Sequence, residues 1–106
     1  MDAPTPASAW YPFRGGATIG TRGSESGVIL RDEEHPAGAR ITLERDGATP
    51  YGITCGIYGR LMHTAFASSA SDASEKYTAM KAQLSELVTS GSDIDSEVQA
   101  FIDRFQ

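Results

Sequence analysis

A chain of 106 residues, 40% hydrophobic and 22% charged, has the size and composition of one globular domain. Its net charge of −5 argues against general nucleic-acid binding, and its single cysteine excludes an internal disulfide and favours a reducing compartment. No stretch without Asp, Glu, Lys or Arg is long enough to span a bilayer, and the first residues lack the basic and apolar regions of a secretory signal. We therefore expect a soluble, cytoplasmic protein that does not associate with membranes.

Residues 1–16 are predicted to form an irregular N-terminal arm, and residues 17–106 a single domain. Prolines and a glycine pair disfavour regular structure in the arm. The arm also carries an aromatic cluster: Trp10, Tyr11 and Phe13. Two interpretations stay open. The rings cover one end of the protein's own core, or they dock onto a second subunit or a partner protein.

Four β segments are predicted next, at 17–22, 28–33, 39–45 and 51–67, and the short turns between them favour an antiparallel meander. The last segment is almost uncharged, which suits a central strand. It also contains three glycines, which indicate bulges or a close approach by another backbone or a ligand. Whether it is one strand or a hairpin bent at Gly59 stays open.

The hydrophobic period lengthens near residue 70, which predicts two C-terminal helices. Asp72 and Glu75 have the spacing of a capping box at the start of the first helix, and Gly91 suits its end. The second helix is predicted to begin near Ser92 or Asp93. The two apolar stripes are Ala73, Tyr77, Met80, Leu84, Leu87 and Val88, and then Ile94, Val98, Phe101, Ile102 and Phe105. The predicted fold class is α+β: a four-stranded, mainly antiparallel β-meander with both helices packed on one face.

Two helices cover one face of such a sheet and leave the other face open. Strand alternation assigns an apolar set to the helix face: Val28, Leu30, Ile41, Leu43, Ile53, Cys55, Ile57 and Leu61. It assigns a polar set to the open face: Arg22, Arg31, Arg40, Thr42, Glu44, Thr54, Tyr58 and Arg60. Five of these, beside the flat backbone of Gly52 and Gly56, are the predicted binding residues for an anion, a planar ligand or an acidic protein. They are Arg31, Arg40, Thr54, Tyr58 and Arg60. The alternative is a solvated face with Arg–Glu cross-strand pairs.

Two groups of residues resemble catalytic or metal sites, and neither is favoured. Cys55 and His63 would stand roughly 26 Å apart on one strand, so they meet only if the chain reverses near Gly59. In the run 32–35 (DEEH), neighbouring side chains point to opposite faces of a strand, so few of them could share an ion. We therefore predict no catalytic residues, no metal site and no cofactor.

We favour a non-enzymatic interaction module that self-associates as a homodimer or binds another protein. The rival hypothesis is a small-molecule or anion-binding domain, conceivably an enzyme, that uses the open sheet face. Nucleic-acid binding is a weaker third hypothesis.

Overall fold

The computed structural model describes residues 9–89 and 94–106. Its strands are β1 Tyr11–Pro12, β2 Val28–His35, β3 Ala39–Arg45, β4 Tyr51–Ile57 and β5 Leu61–Ala67, and its helices are α1 Ala70–Thr89 and α2 Ile94–Arg104. The strands form one antiparallel sheet in the order β1-β2-β3-β4-β5. The predicted α+β meander with two helices against the sheet is confirmed, although the described residues form five strands instead of four.

The segment 51–67 is a hairpin. Its strands β4 and β5 pair without a register shift, and residues 58–60 form the turn between them. Gly59 has a φ of 77°, a left-handed conformation that glycine adopts at little cost, and the Arg60 N–H donates to the Ile57 carbonyl at 2.9 Å. Of the two alternatives for this segment, one strand or a hairpin bent at Gly59, the structure has the hairpin.

The first predicted strand is wrong. Residues 17–22 form turns, and only Arg22 bridges to Val28. The strand beside β2 at that edge of the sheet is instead β1, inside the segment that was predicted to be irregular; it pairs with Glu33 and Glu34 of β2.

The helical stripes form the core together with the inner face of the sheet. Tyr77, Met80 and Leu84 are completely buried, and Phe101 of α2 and Phe105, just after α2, are buried beside them. None of the described helices is long and apolar enough to cross a membrane. The cap lies earlier than predicted, since the Ser69 hydroxyl accepts the Asp72 N–H at 3.2 Å. Gly91, Ser92 and Asp93 fall outside the described residues.

A bulge in β2 decides which side chains face the helices. Ile29 pairs with Glu44, but Arg31 pairs with Leu43, so Leu30 is the extra residue. A one-residue insertion moves every later side chain to the opposite face. The predicted faces of β2 are therefore wrong beyond the bulge: Arg31, assigned to the open face, lies on the helix face over Tyr77. Before the bulge, Ile29 is buried on the open face.

The bulge turns Glu33 towards α1, where it becomes the centre of a charged cluster. Its carboxylate accepts the Tyr77 hydroxyl at 2.6 Å and the Lys81 ammonium at 2.7 Å. Arg31 bonds to the same carboxylate at 3.1 Å and stacks over the Tyr77 ring at 4.1 Å. Burial acts to raise the pKa of Glu33, but the hydrogen bonds from Lys81 and Tyr77 and the nearby positive charges outweigh it and hold the pKa below its ordinary value of 4.5. This cluster fixes α1 across the sheet.

Replacing Glu33 by glutamine should lower the free energy of unfolding at pH 7 by about 2 kcal/mol, because Lys81 and Tyr77 lose a charged acceptor. The folded-state pKa of Glu33 lies below the unfolded value, so its contribution is complete above about pH 4.5 and is lost as the pH falls through the folded pKa. Denaturant unfolding between pH 7 and 3 should therefore show a shallower acid loss for Glu33→Gln than for the wild type. Glu75→Gln, on an exposed position of α1, is the control; equal acid slopes for Glu33→Gln and the wild type would contradict the assignment.

Candidate functional site

The open face of the sheet carries a concave pocket of about 990 Å³. Four of the five predicted binding residues line it: Arg40, Thr54, Tyr58 and Arg60. The fifth, Arg31, stacks on Tyr77 on the opposite face. The structure thus brings most of the predicted set around one cavity and removes one member through the β2 bulge.

The floor of the pocket consists of small polar side chains. Thr42, Thr54 and Thr64 stand on three neighbouring strands in one cross-strand row. The hydroxyls of Thr54 and Thr64 are 3.1 Å apart, and Gly56 leaves the next position on β4 without a side chain. A Cβ on Gly56 would lie 2.8 Å from the Leu61 carbonyl oxygen, so glycine is required there by the hairpin itself. The result is a shallow, hydroxyl-bearing surface.

One wall of the pocket is the loop 13–27, which Asp32 anchors. This carboxylate is 2% exposed and accepts the Thr18 hydroxyl at 2.7 Å. It also accepts two N–H groups of Arg40, at 2.9 and 2.6 Å, and the Arg40 guanidinium lies 3.6 Å from the centre of the Phe13 ring. Asp32 therefore holds the loop and Arg40 in fixed positions beside the cavity.

Glu44 anchors the far end of the same loop. It is 2% exposed and accepts the backbone N–H groups of Glu25 and Gly27, the latter at 3.0 Å. The approach is close: a Cβ on Gly23 would lie 2.4 Å from the Glu44 carboxylate, and one on Gly27 would lie 2.6 Å from a backbone oxygen. Glycines at these two loop positions let the turn reach the sheet.

The opposite wall is the β4–β5 turn, which Glu34 ties to the edge of the sheet. Glu34 accepts the hydroxyls of Tyr58 and Tyr11. These hydrogen bonds lower the pKa of Glu34. The bond to the Glu34 carboxylate raises the pKa of Tyr58 to about 12. Tyr58 therefore stays a neutral donor near neutral pH.

The aromatic residues of the arm belong to this scaffold. Trp10 is buried, donates its ring N–H to the Ser85 hydroxyl at 2.7 Å and packs edge-on against His35. Phe13 lies under Arg40, and Tyr11 is exposed while its hydroxyl bonds to Glu34. In the described structure the three rings contact the protein's own sheet and helix.

Cys55 and His63 are brought together by the hairpin as directly opposed partners. They do not form an activated pair. Burial raises the pKa of the Cys55 thiol to about 12, and the His63 Nε2–H donates to the Phe105 carbonyl at 2.8 Å. His63 thus anchors the end of α2, and Cys55 belongs to the core.

Asp32, Glu33 and Glu34 bind three different sets of protein groups instead of one shared ion. Among the residues that the structure describes, no group of three or more His, Cys, Asp or Glu side chains is arranged to hold a metal. Sequence reasoning considered this run as a possible metal site and missed its anchoring role. That role depends on the bulge in β2, and no residue type in the sequence marks the bulge.

Comparisons of the chain with family models, with curated proteins and with solved structures found no match.

Replacing Glu44 by glutamine should release the turn 23–27. A glutamine amide offers one neutral acceptor oxygen, whereas the Glu44 carboxylate offers the loop two charged acceptor oxygens. We expect a loss of about 2 kcal/mol in unfolding free energy and faster hydrogen exchange of the Glu25 and Gly27 amides. Asp46→Asn is the matched control: Asp46 is exposed and has a φ of 57°, which asparagine tolerates. Unchanged exchange at Gly27 in Glu44→Gln would contradict the anchor.

Cys55 should react with a disulfide reagent only when the protein opens. At pH 8 a thiol with a pKa near 12 is ionised to about one part in 10⁴, and its burial blocks the reagent as well. The rate, measured by absorbance of the released thiolate, should rise with added denaturant towards that of the unfolded chain. Fast labelling of the native protein, slowed in His63→Ala, would instead indicate an activated pair.

Proposed function

We propose that this protein is a binding module that takes a small organic anion with a flat body in the pocket on its open sheet face. The observation that supports this most directly is the convergence of Arg40, Thr54, Tyr58 and Arg60 around one cavity. The cavity of about 990 Å³ lies at the upper end of the range for small-molecule sites.

The shape of the cavity favours a flat ligand. Its floor of threonines and glycine is low, because the strands there present short side chains or none. Ile29 and Met62 add apolar surface at its sides, and Met62 is 80% exposed. A planar ring system would cover the floor and bury the Met62 side chain, while the threonine hydroxyls contact its polar atoms.

The charged groups around the cavity favour an anionic substituent. Arg22, Arg40 and Arg60 line it, and the acids are Glu25 and Glu44. The Glu44 carboxylate is already hydrogen-bonded to loop amides, which stabilise its negative charge inside the protein. Arg40 uses two of its five N–H donors on Asp32 and stands rigidly against Phe13, which is the preorganisation that an anion site requires.

Binding is favoured over catalysis because three carboxylates around the cavity are occupied in structural bonds. Asp32, Glu44 and Glu34 each accept at least two hydrogen bonds from the protein. The Cys55 thiol has a raised pKa and faces the core. The self-association that the sequence favoured stays a prediction, and so does the weaker nucleic-acid hypothesis.

A pair of fluorescent probes tests the proposal. The probe 8-anilinonaphthalene-1-sulfonate carries an aromatic body and one negative charge, and N-phenyl-1-naphthylamine is the same body without the charge. The sulfonate should bind with saturable fluorescence enhancement. Thr54→Phe, which fills the floor with a residue of high β propensity, should lower the affinity for both probes at least tenfold. Arg60→Gln should lower the affinity for the sulfonate severalfold and leave the affinity for the neutral probe unchanged.

Arg45→Gln is the matched control, because Arg45 is exposed and does not line the cavity. Circular dichroism and thermal unfolding establish that each variant is folded. Equal sulfonate affinity in Thr54→Phe and the wild type would overturn the pocket as the site. Equal effects of Arg60→Gln on both probes would overturn the anionic specificity.

A further inference from the structure

We infer that β5 is an interface strand that pairs antiparallel with β5 of a second copy of this chain, with the two-fold axis at Thr64. The inference goes beyond the proposed ligand pocket and does not rest on it. It starts from the edge that β5 forms at the end of the described sheet.

The residues of β5 itself lack the features that usually protect an edge strand, although Lys76 of α1 reaches this edge at the Phe66 carbonyl. Its seven residues, LMHTAFA, include no proline, lysine or other full charge, and they pair with β4 without a bulge. Edges of this kind are templates for another strand, and natural proteins commonly blunt them with charges, prolines or bulges. The opposite edge is different, since β1 is two residues long and contains Pro12.

The hairpin turn establishes which backbone groups point outward. The Ile57 carbonyl accepts the Arg60 N–H inside the turn, so Ile57 and its partner Leu61 direct their backbone groups at each other. Backbone direction alternates along a strand, which turns the N–H and C=O groups of Met62, Thr64 and Phe66 away from β4. The Phe66 carbonyl fits this assignment, because it accepts the Lys76 ammonium at 2.8 Å. A carbonyl oxygen has a second lone pair for a partner strand.

A register centred on Thr64 uses all three outward positions at once. It places Thr64 opposite Thr64 of the second copy and Met62 opposite Phe66 of the second copy, twice by symmetry. Met62 and Phe66 are 80% and 45% exposed on the open face, and each stands beside a glycine of β4. A thioether against an aromatic ring is a favourable contact.

The helix-face residues fit the same register. His63 would oppose Ala65, and Leu61 would oppose Ala67, so each larger side chain meets a small one. This self-complementarity selects a second copy as the occupant over an unrelated strand, because it follows from the β5 sequence alone. The product is a continuous ten-stranded sheet across the two copies.

Light scattering after size exclusion tests the inference with the full chain. The wild type should elute at twice its 11.3 kDa mass at high concentration and dissociate on dilution. Thr64→Lys and Thr64→Glu should each be monomeric, because like charges oppose at the axis. A one-to-one mixture of the two variants should restore a dimer, which native mass spectrometry identifies as mixed.

Thr78→Lys, the same substitution at an exposed position of α1, should leave the dimer intact. Met62→Lys provides a second variant that keeps the fold, since this side chain is mostly exposed, and it should weaken dimerisation at least tenfold. A monomeric wild type at every concentration would overturn the interface. A wild-type-like dimer of Thr64→Lys, or a mixture that stays monomeric, would overturn the register. Probe binding and these masses are separate measurements, so one proposal can fail while the other holds.

Discussion

The alternation of three consecutive carboxylates along β2 is the constraint on which the rest of the structure depends. Asp32 holds the loop over the open face, Glu33 holds α1 on the other face, and Glu34 holds two tyrosines at the rim. The bulge at Leu30 sets this assignment, because without it Asp32 would face the apolar core and Glu33 would face the pocket. A buried carboxylate without donors is strongly destabilising, so the bulge and the three sets of donors must occur together.

Sequence pattern predicted the parts of the fold that rest on regular burial. The stripe containing Tyr77, Met80 and Leu84 is buried as its 3.6-residue period indicated, and Ile41 and Leu43 face the core as their alternation indicated. The pattern failed in β2, because Leu30 is as apolar as the two residues before it and nothing in its residue type marks an inserted position. The partners of Glu44 could not be predicted either: they are backbone amides of a distant turn, which exist for every sequence.

The hairpin at Gly59 brings two potentially reactive side chains close together without making them a reactive pair. It brings Cys55 and His63 directly opposite each other, the one geometry in which a nucleophile pair was conceivable. The same pairing buries the thiol under the helices, which disfavours the thiolate, and places the imidazole against the Phe105 carbonyl. On the reverse side, the same strands present threonines and glycines. One hairpin thus supplies a closed, inert core and the open floor of a pocket.

The pocket and the β5 edge share one strand, so ligand binding and self-association would be coupled if both proposals hold. The Thr64 hydroxyl bonds to the Thr54 hydroxyl on the pocket floor. Met62 lines the cavity, and its backbone N–H and C=O point outward from the edge. A second copy that packs Phe66 against Met62 would change the apolar side of the pocket, and a ligand on the floor would in turn contact Thr64 of β5. Linkage requires the two effects to be equal: the factor by which dimerisation changes ligand affinity is the factor by which ligand changes dimer affinity. The threonine pair is the shortest route for that coupling, because it joins floor to edge through one hydrogen bond.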